Sequence, residues 1–261
     1  MFASYMINGW IMASLIAVVA GAVGTFVVMR GNSFAAHSLP IGTFPGAAAA
    51  NLFGIHQVWG LLAFALFGVL GITQIGRSQR REVATAITLV ALLGLGTLFL
   101  SLSGHYAQGV YALLFGQLVS VSRAEMLPMI VMAVIVLVTL ACFSRPLLLN
   151  TAAPDLAATH GWAPARLEGL FLGLLALSTA MALPVVGALL VFSLTVGPAA
   201  AARSFSRRPA QAIGLSILLA LLTAWAAIAL AFLSDWPIGF FVGTISGGLF
   251  ALGRLSRTVL R

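Results

Sequence analysis

Formal charge is the scarcest property of this 261-residue sequence. Only 7% of the residues are charged: there is no lysine, and 13 arginines stand against five acidic residues. A soluble domain would carry charge on about a quarter of its residues. The hydrophobic fraction of 61% instead predicts a chain that crosses a membrane several times. Each crossing should be helical, because unpaired backbone groups are too costly in hydrocarbon.

The missing residue types also exclude several kinds of chemistry. Without lysine there is no phosphate-binding P-loop, so the chain by itself should not hydrolyse nucleotide. A single cysteine, Cys142, precludes an internal disulfide. There is no His-Glu-x-x-His motif and no pair of intramembrane aspartates, so we expect a protein that is not an enzyme.

The acidic residues all fall at the ends of apolar runs or in loops. A transporter driven by protons or sodium usually carries carboxylates at membrane depth, so their placement argues against ion coupling. A transporter without such acids and without a nucleotide site should take its energy from a partner subunit. The five acids are Glu82, Glu125, Asp155, Glu168 and Asp235.

Charged and polar residues divide the chain into apolar runs of about 20 residues, the length of a membrane-spanning helix. The sequence therefore predicts an all-α transmembrane bundle of nine helices, forming one domain over residues 1–261. If the Gly-, Ala- and Pro-rich segment 33–53 is a re-entrant hairpin, eight crossings remain. The runs lie at about 9–29, twice within 31–76, at 83–103, at 126–143, twice within 167–202, at 210–233 and at 238–253.

The arginines predict the orientation of the nine helices. If the amino terminus lies outside and the carboxyl terminus in the cytoplasm, every arginine except Arg123 falls on the cytoplasmic side. Such an asymmetry is what the positive-inside rule expects. The net charge of +8 then records topology and contact with anionic lipid, and does not indicate binding to nucleic acid.

Five stretches with Gly, Pro and Arg in characteristic positions occur in order over nearly the whole chain. They are FVVMRGNSF, YALLFGQLVSVSRAEM at 111–126, APDLAATHGWAPAR at 153–166, LLVFSLTVGPAAAARSFSRRP at 189–209, and SDWPIGFFVGTISG. In this combination the sequence resembles the membrane permeases of ABC importers for zinc and manganese. The resemblance implies the permease subunit of an ATP-driven importer of divalent transition metal ions, in a bacterial plasma membrane.

The same resemblance implies partners and a coupling region. The partners are two ABC ATPase subunits, an extracytoplasmic solute-binding protein, and a second permease, either another copy of this chain or a similar one. No cofactor is implied beyond the transported ion. The short cytoplasmic element 153–166 and the basic segment after 189–202 would face the ATPase. The coupling residues would be Asp155, Gly161, Pro198, Arg203, Arg207, Arg208 and Pro209.

The uncharged segment SFAAHSLPIGTFPGAAAA, residues 33–50, contains one ionisable side chain, His37. The family usually has an aspartate and, four residues later, a histidine in this second helix. Aligned on Phe44 to Gly46, these positions are His37 and Ile41, so one nitrogen ligand is kept and the oxygen ligand is absent. Residues four apart share a helix face, and imidazole is a ligand for divalent transition metals. We therefore expect His37 to line the metal path.

Three alternatives stay open from the residues alone. His37 could be a helix-stabilising residue held by a hydrogen bond. The chain could be a secondary transporter or channel that works by itself. The same architecture could also carry a chelated metal or a cofactor.

Overall fold

Helices make up almost all of the described chain. The computed structural model describes residues 4–76, 80–103, 116, 123–206 and 208–259, and within these ranges it contains no strand. His105, Arg207 and most of the 111–126 motif lie outside the described residues. The helices are α1 (Ser4–Arg30), α2 (Ser33–Phe53), α3 (Gln57–Ile75), α4 (Arg81–Ser103), α5 (Arg123–Ala152), α6 (Pro154–Thr159), α7 (Pro164–Val186), α8 (Ala188–Phe205), α9 (Pro209–Ser234) and α10 (Ile238–Val259).

The nine long helices of the described ranges lie at the predicted apolar runs. One predicted boundary is wrong: α5 does not end at residue 143 but continues through Arg145 and Pro146 to Ala152, where Leu147 is buried in the core. Seven of them are long and apolar enough to span a membrane. The other two are α2, which is rich in Ala, Gly and Pro, and α8, whose apolar part is the short stretch Leu190–Phe205. The all-helical bundle is confirmed, whereas the count of nine crossings is not.

Segment 33–53 forms one continuous helix of 21 residues, which corresponds to a length of about 31 Å. A re-entrant hairpin would need a turn near its middle, and none is present. Pro40 and Pro45 lie inside the helix, where each removes one backbone hydrogen bond. Most of α2 is nevertheless buried, so its tertiary contacts outweigh its poor intrinsic helix propensity.

Helices α1 and α7 lie at the centre of the bundle, since 72% of the most apolar stretch of each helix is buried. Their aromatic rings meet there, since the Phe26 and Phe171 centroids are 6.5 Å apart. Small residues allow the neighbouring helices to approach closely: a Cβ on Gly46 of α2 would lie only 2.1 Å from the carbonyl oxygen of Gly60 of α3. Close packing through small residues is typical of membrane bundles, where lipid supplies no hydrophobic driving force between helices.

The ends of four helices, three of them with a charged side chain, meet at one end of the bundle. Arg30 ends α1, Arg81 begins α4, and Glu168 lies near the start of α7; these three side chains form one ion-pair network. Thr151 at the end of α5 joins it through Arg30. This arrangement agrees with helices that alternate in direction, and it places their arginine-bearing ends together.

We expect the Arg80 and His160 loops to be cytoplasmic and the turn around Asp235 to be external, because of the arginine asymmetry. In a Cys142→Ser background, Ser234→Cys should react with an impermeant thiol reagent in intact cells. Arg80→Cys and His160→Cys should react only after the membrane is permeabilised. The three introduced cysteines replace exposed residues, so whether each one reacts depends on the side of the membrane on which it lies. Labelling of Arg80→Cys and His160→Cys in intact cells would show that the orientation is the opposite of the predicted one.

Candidate functional site: the second helix and the cytoplasmic end

His37 lies in the second turn of α2 and is half-buried. Its ring stands edge-on to the ring of Phe192 on α8, with centroids 4.8 Å apart and an interplanar angle of 71°. Among the described residues, no hydrogen bond to His37 is found. The side chain is therefore held by packing, and its ring nitrogens stay available.

A single chain offers little else to a metal ion near His37. The described ranges hold no group of three or more His, Cys, Asp or Glu side chains placed to bind one ion. Ile41, one turn further along α2, packs against the apolar core. One chain thus supplies one ligand nitrogen at this level of the bundle.

The strongest polar cluster of the described chain surrounds Glu168. Both partners of the Arg30–Glu168 ion pair are buried, with side-chain exposures of 3% and 9%. The second carboxylate oxygen, Oε1, accepts a hydrogen bond of 2.9 Å from Asn32 Nδ2 and lies 3.2 Å from a guanidinium nitrogen of Arg81. One carboxylate therefore joins α1, the start of α2, α4 and α7.

Arg30 extends the cluster to α5. Its guanidinium donates to the carbonyl oxygen of Leu147 and to Thr151 Oγ1, both at 3.2 Å, and lies 5.0 Å from the centroid of the Phe171 ring. A buried charge is tolerated only when it is paired and hydrogen-bonded in this way. The sequence identified Glu168 only as an acid at the end of a span. It did not show that the carboxylate is buried against Arg30.

A cavity of about 210 Å³ opens beside this cluster, between the starts of α2, α4 and α7 and the end of α3. Asn32, Thr73, Arg81, Thr85 and Glu168 supply its polar lining. The cavity lies at the same end of the bundle as the arginine-rich helix termini, so it opens on the side predicted to be cytoplasmic.

Glu168→Gln should destabilise the permease by about 3–5 kcal/mol, because it leaves Arg30 buried without a counter-charge. Arg81→Gln should cost no more than about 1 kcal/mol, since that side chain is 62% exposed. Unfolding of the two purified variants in detergent measures the difference. The double variant Arg30→Met with Glu168→Leu should recover most of the loss. Equal losses of unfolding free energy for Glu168→Gln and Arg81→Gln would show that the buried Arg30–Glu168 pair stabilises the permease no more than the exposed Arg81 does.

The predicted coupling residues fall on two separate pieces of chain. Asp155 is exposed in the first turn of α6, and Gly161 follows that helix with a φ of +81°, a conformation that favours glycine. Trp162 packs edge-on against Phe143 of α5, with ring centroids 6.0 Å apart. This contact fixes the loop that connects α6 to α7.

The second piece is the connection between α8 and α9. Pro198 is buried inside α8, and Arg203 lies in its last turn. Arg208 is exposed and precedes α9, whose first residue is Pro209. Proline is favoured at that position because its missing N–H has no partner there in any case. Of these residues, Arg208 is exposed at a helix end, Arg203 is half-buried and Pro198 is buried; their role in coupling stays a prediction.

Comparisons with known proteins agree on one family. Residues 3–256 match the model of the ABC 3 transport family. The chain is 30% identical over 205 residues to the manganese import system permease protein ScaB of Streptococcus gordonii, which covers 78% of this chain and 73% of that protein. It is 25% identical over 245 residues to the high-affinity zinc uptake system membrane protein ZnuB of Haemophilus influenzae, covering 93% and 94%.

A solved structure has the same fold. PsaBC from Streptococcus pneumoniae, determined in complex with a Fab, superposes with a TM-score of 0.86 at 23% identity and covers 97% of this chain and 91% of the matched chain. At this identity the match supports the arrangement of the helices.

Proposed function

This chain belongs to the ABC 3 transport family, and on that premise we propose that it is the membrane-spanning permease subunit of an ATP-driven importer of zinc or manganese ions. The observation that carries the proposal is the family match over residues 3–256, together with seven helices in the described part of the chain that are apolar enough to span a membrane. The relatives named for manganese and zinc import match most of their own length. That coverage favours an ABC permease over a channel or transporter that works alone.

The energy for transport comes from a separate ATPase. This chain has no lysine for a phosphate-binding loop, and only five acidic residues. The most deeply placed of the described acids, Glu168, is already paired with Arg30 and Arg81, so it is a structural ion pair and a poor candidate for coupling to protons. We place ATPase contact at α6 with its following loop and at the α8–α9 connection.

The metal path lies between two permeases. One chain supplies a single imidazole at His37, and a second copy related by two-fold symmetry would supply another. Two nitrogens with water or backbone oxygens could pass a divalent transition metal without trapping it. A solute-binding protein on the outer side would deliver the ion, and ATP binding would rock the two bundles between outward-open and inward-open states.

Reconstitution tests this function directly. The permease would be placed in proteoliposomes with the ABC ATPase and the solute-binding protein of the same organism's importer, and uptake of radioactive zinc and manganese would be measured with and without ATP. We expect uptake that requires all three proteins and ATP. Uptake by the permease alone would identify a stand-alone transporter. Uptake only of a metal chelate would support an ABC permease but overturn the free metal ion as its substrate.

A further inference from the structure

A small, partly open space lies between α2, α3 and α4, next to the cavity that adjoins Glu168. Its volume is about 10 Å³, and its lining includes Ser38 and Gly42 of α2, Phe64 and Gly68 of α3, and Thr88 and Leu92 of α4. Most of these residues are apolar. The three hydroxyl groups, those of Ser38, Thr85 and Thr88, are therefore the unusual part of the lining.

Ser38 and Thr88 are almost completely buried, with exposures of 3% and 6%. Neither Ser38 Oγ nor Thr88 Oγ1 has a hydrogen-bond partner among the described residues. Two other buried hydroxyls nearby bond to their own helix: Thr43 Oγ1 donates to the carbonyl oxygen of Pro40 at 2.9 Å, and Thr85 Oγ1 donates to that of Arg81 at 2.8 Å. A buried polar group without a partner is destabilising, and here two such groups line one cavity.

We propose that this cavity binds one water molecule, which bridges Ser38 Oγ and Thr88 Oγ1 and so joins α2 to α4. A water fits a cavity of roughly 10–15 Å³ when two to four polar groups surround it. Thr85 also lines the space, and its hydroxyl oxygen can still accept a hydrogen bond while its hydrogen is donated to Arg81. The site then offers three hydroxyl partners to one water.

The larger cavity near Glu168 gives this water a route to bulk solvent. Ile72 and Thr85 line both the 210 Å³ cavity and the small one, so the two spaces adjoin at these side chains. Along α4, residues Arg81, Thr85 and Thr88 follow at helical spacing on one face. This face leads from the open end of the bundle to the buried hydroxyls.

The bridge would hold α2 in one rotation about its axis. Ser38 is adjacent to His37, and α2 is otherwise built from Ala, Gly, Pro and other mainly apolar residues, which offer few directional contacts. A water between Ser38 and Thr88 turns the Ser38 face towards α4, and the His37 ring is thereby kept on the side of Phe192. This inference rests on the packing of one chain and does not depend on which solute is transported.

Substitution of the two hydroxyls tests the bridge. We expect Ser38→Ala and Thr88→Val each to lower the Tm of the purified permease by about 2–4 °C. The double variant should lose no more than the worse single variant, because either change removes the shared water. As a control, Thr223→Val removes a buried hydroxyl of α9 that bonds to its own helix, and its loss should add to that of Ser38→Ala. If the decreases in Tm caused by Ser38→Ala and Thr88→Val add in the same way, the two hydroxyls act independently and no water bridges them.

Filling the cavity separates a bridging water from a direct contact between the two hydroxyls. A Cβ on Gly68 would lie 3.1 Å from Leu39 Cδ2 and 3.6 Å from Leu92 Cδ1, so Gly68→Ala occupies the space with only a small shift of leucine side chains. It should lower Tm in the wild-type chain, where it displaces the water, and leave Tm unchanged or higher in the double variant, where the space is dry. An equal loss in both backgrounds would overturn the proposal. So would a high-resolution density map without a peak between Ser38 and Thr88.

Discussion

Replacing Arg207 and Arg208 together by glutamate should abolish ATP-driven uptake while the permease remains folded in the membrane. The two residues occupy the short basic connection before α9, and Arg208 is exposed. Reversal of two charges at an interface places like charges against a partner that fits a basic surface, which costs several kcal/mol through repulsion or a buried unpaired charge. A penalty of about 4 kcal/mol would lower the affinity for the ATPase roughly a thousandfold.

Three measurements, made at matched membrane levels, check this prediction: copurification of the ATPase, metal uptake, and the Tm of the permease. The control is Arg80→Glu with Arg145→Glu, which changes the charge by the same amount at two exposed residues predicted to lie on the same side of the membrane. That control should keep uptake. Normal copurification together with normal uptake in the Arg207 and Arg208 variant would exclude the α8–α9 connection as the coupling site.

The helix boundaries could be predicted because they depend on local signals. Arginine, glycine and proline mark most ends of the apolar runs, and helices begin at residues such as Arg81, Pro164 and Pro209. The rule failed at the end of α5, which continues through Arg145 and Pro146. The number of crossings could not be obtained in the same way. Helices α2 and α8 owe their stability to burial among other helices, so their Ala-, Gly- and Pro-rich sequences carry a weak hydropathy signal.

Contacts between residues that are far apart in the sequence could not be predicted either. Arg30 and Glu168 are 138 residues apart, and nothing in their local sequence shows that the two side chains meet. The sequence offered one signal. Arg30 ends one predicted span, Glu168 lies at the start of another, and both ends were predicted to lie on the cytoplasmic side. For His37, the resemblance pointed to its position on α2, but its packing partner Phe192 lies on a helix far along the chain and was not predicted.

Substitution of His37 by alanine should abolish metal uptake without disturbing assembly with the ATPase and binding protein. The half-buried ring has no hydrogen-bond partner among the described residues, which weakens the alternative that it serves only to fasten the start of α2. It packs against the Phe192 ring, so its loss should alter packing little while it removes the imidazole that we place on the metal path. A site of imidazole nitrogens without carboxylate favours zinc over manganese.

Ligand chemistry then predicts the order of four variants, measured as uptake of both metals at matched membrane levels. His37→Asp should keep activity and shift the preference towards manganese, because carboxylate oxygen suits manganese better than imidazole does. Adding Ile41→His to His37→Asp places a carboxylate and an imidazole one helical turn apart, and uptake of manganese should rise further. His37→Gln preserves hydrogen bonding and size but supplies only a weak amide ligand, so it should be as inactive as His37→Ala. Full uptake by the glutamine variant would make His37 a structural residue, and full zinc uptake by the alanine variant would end the ligand hypothesis.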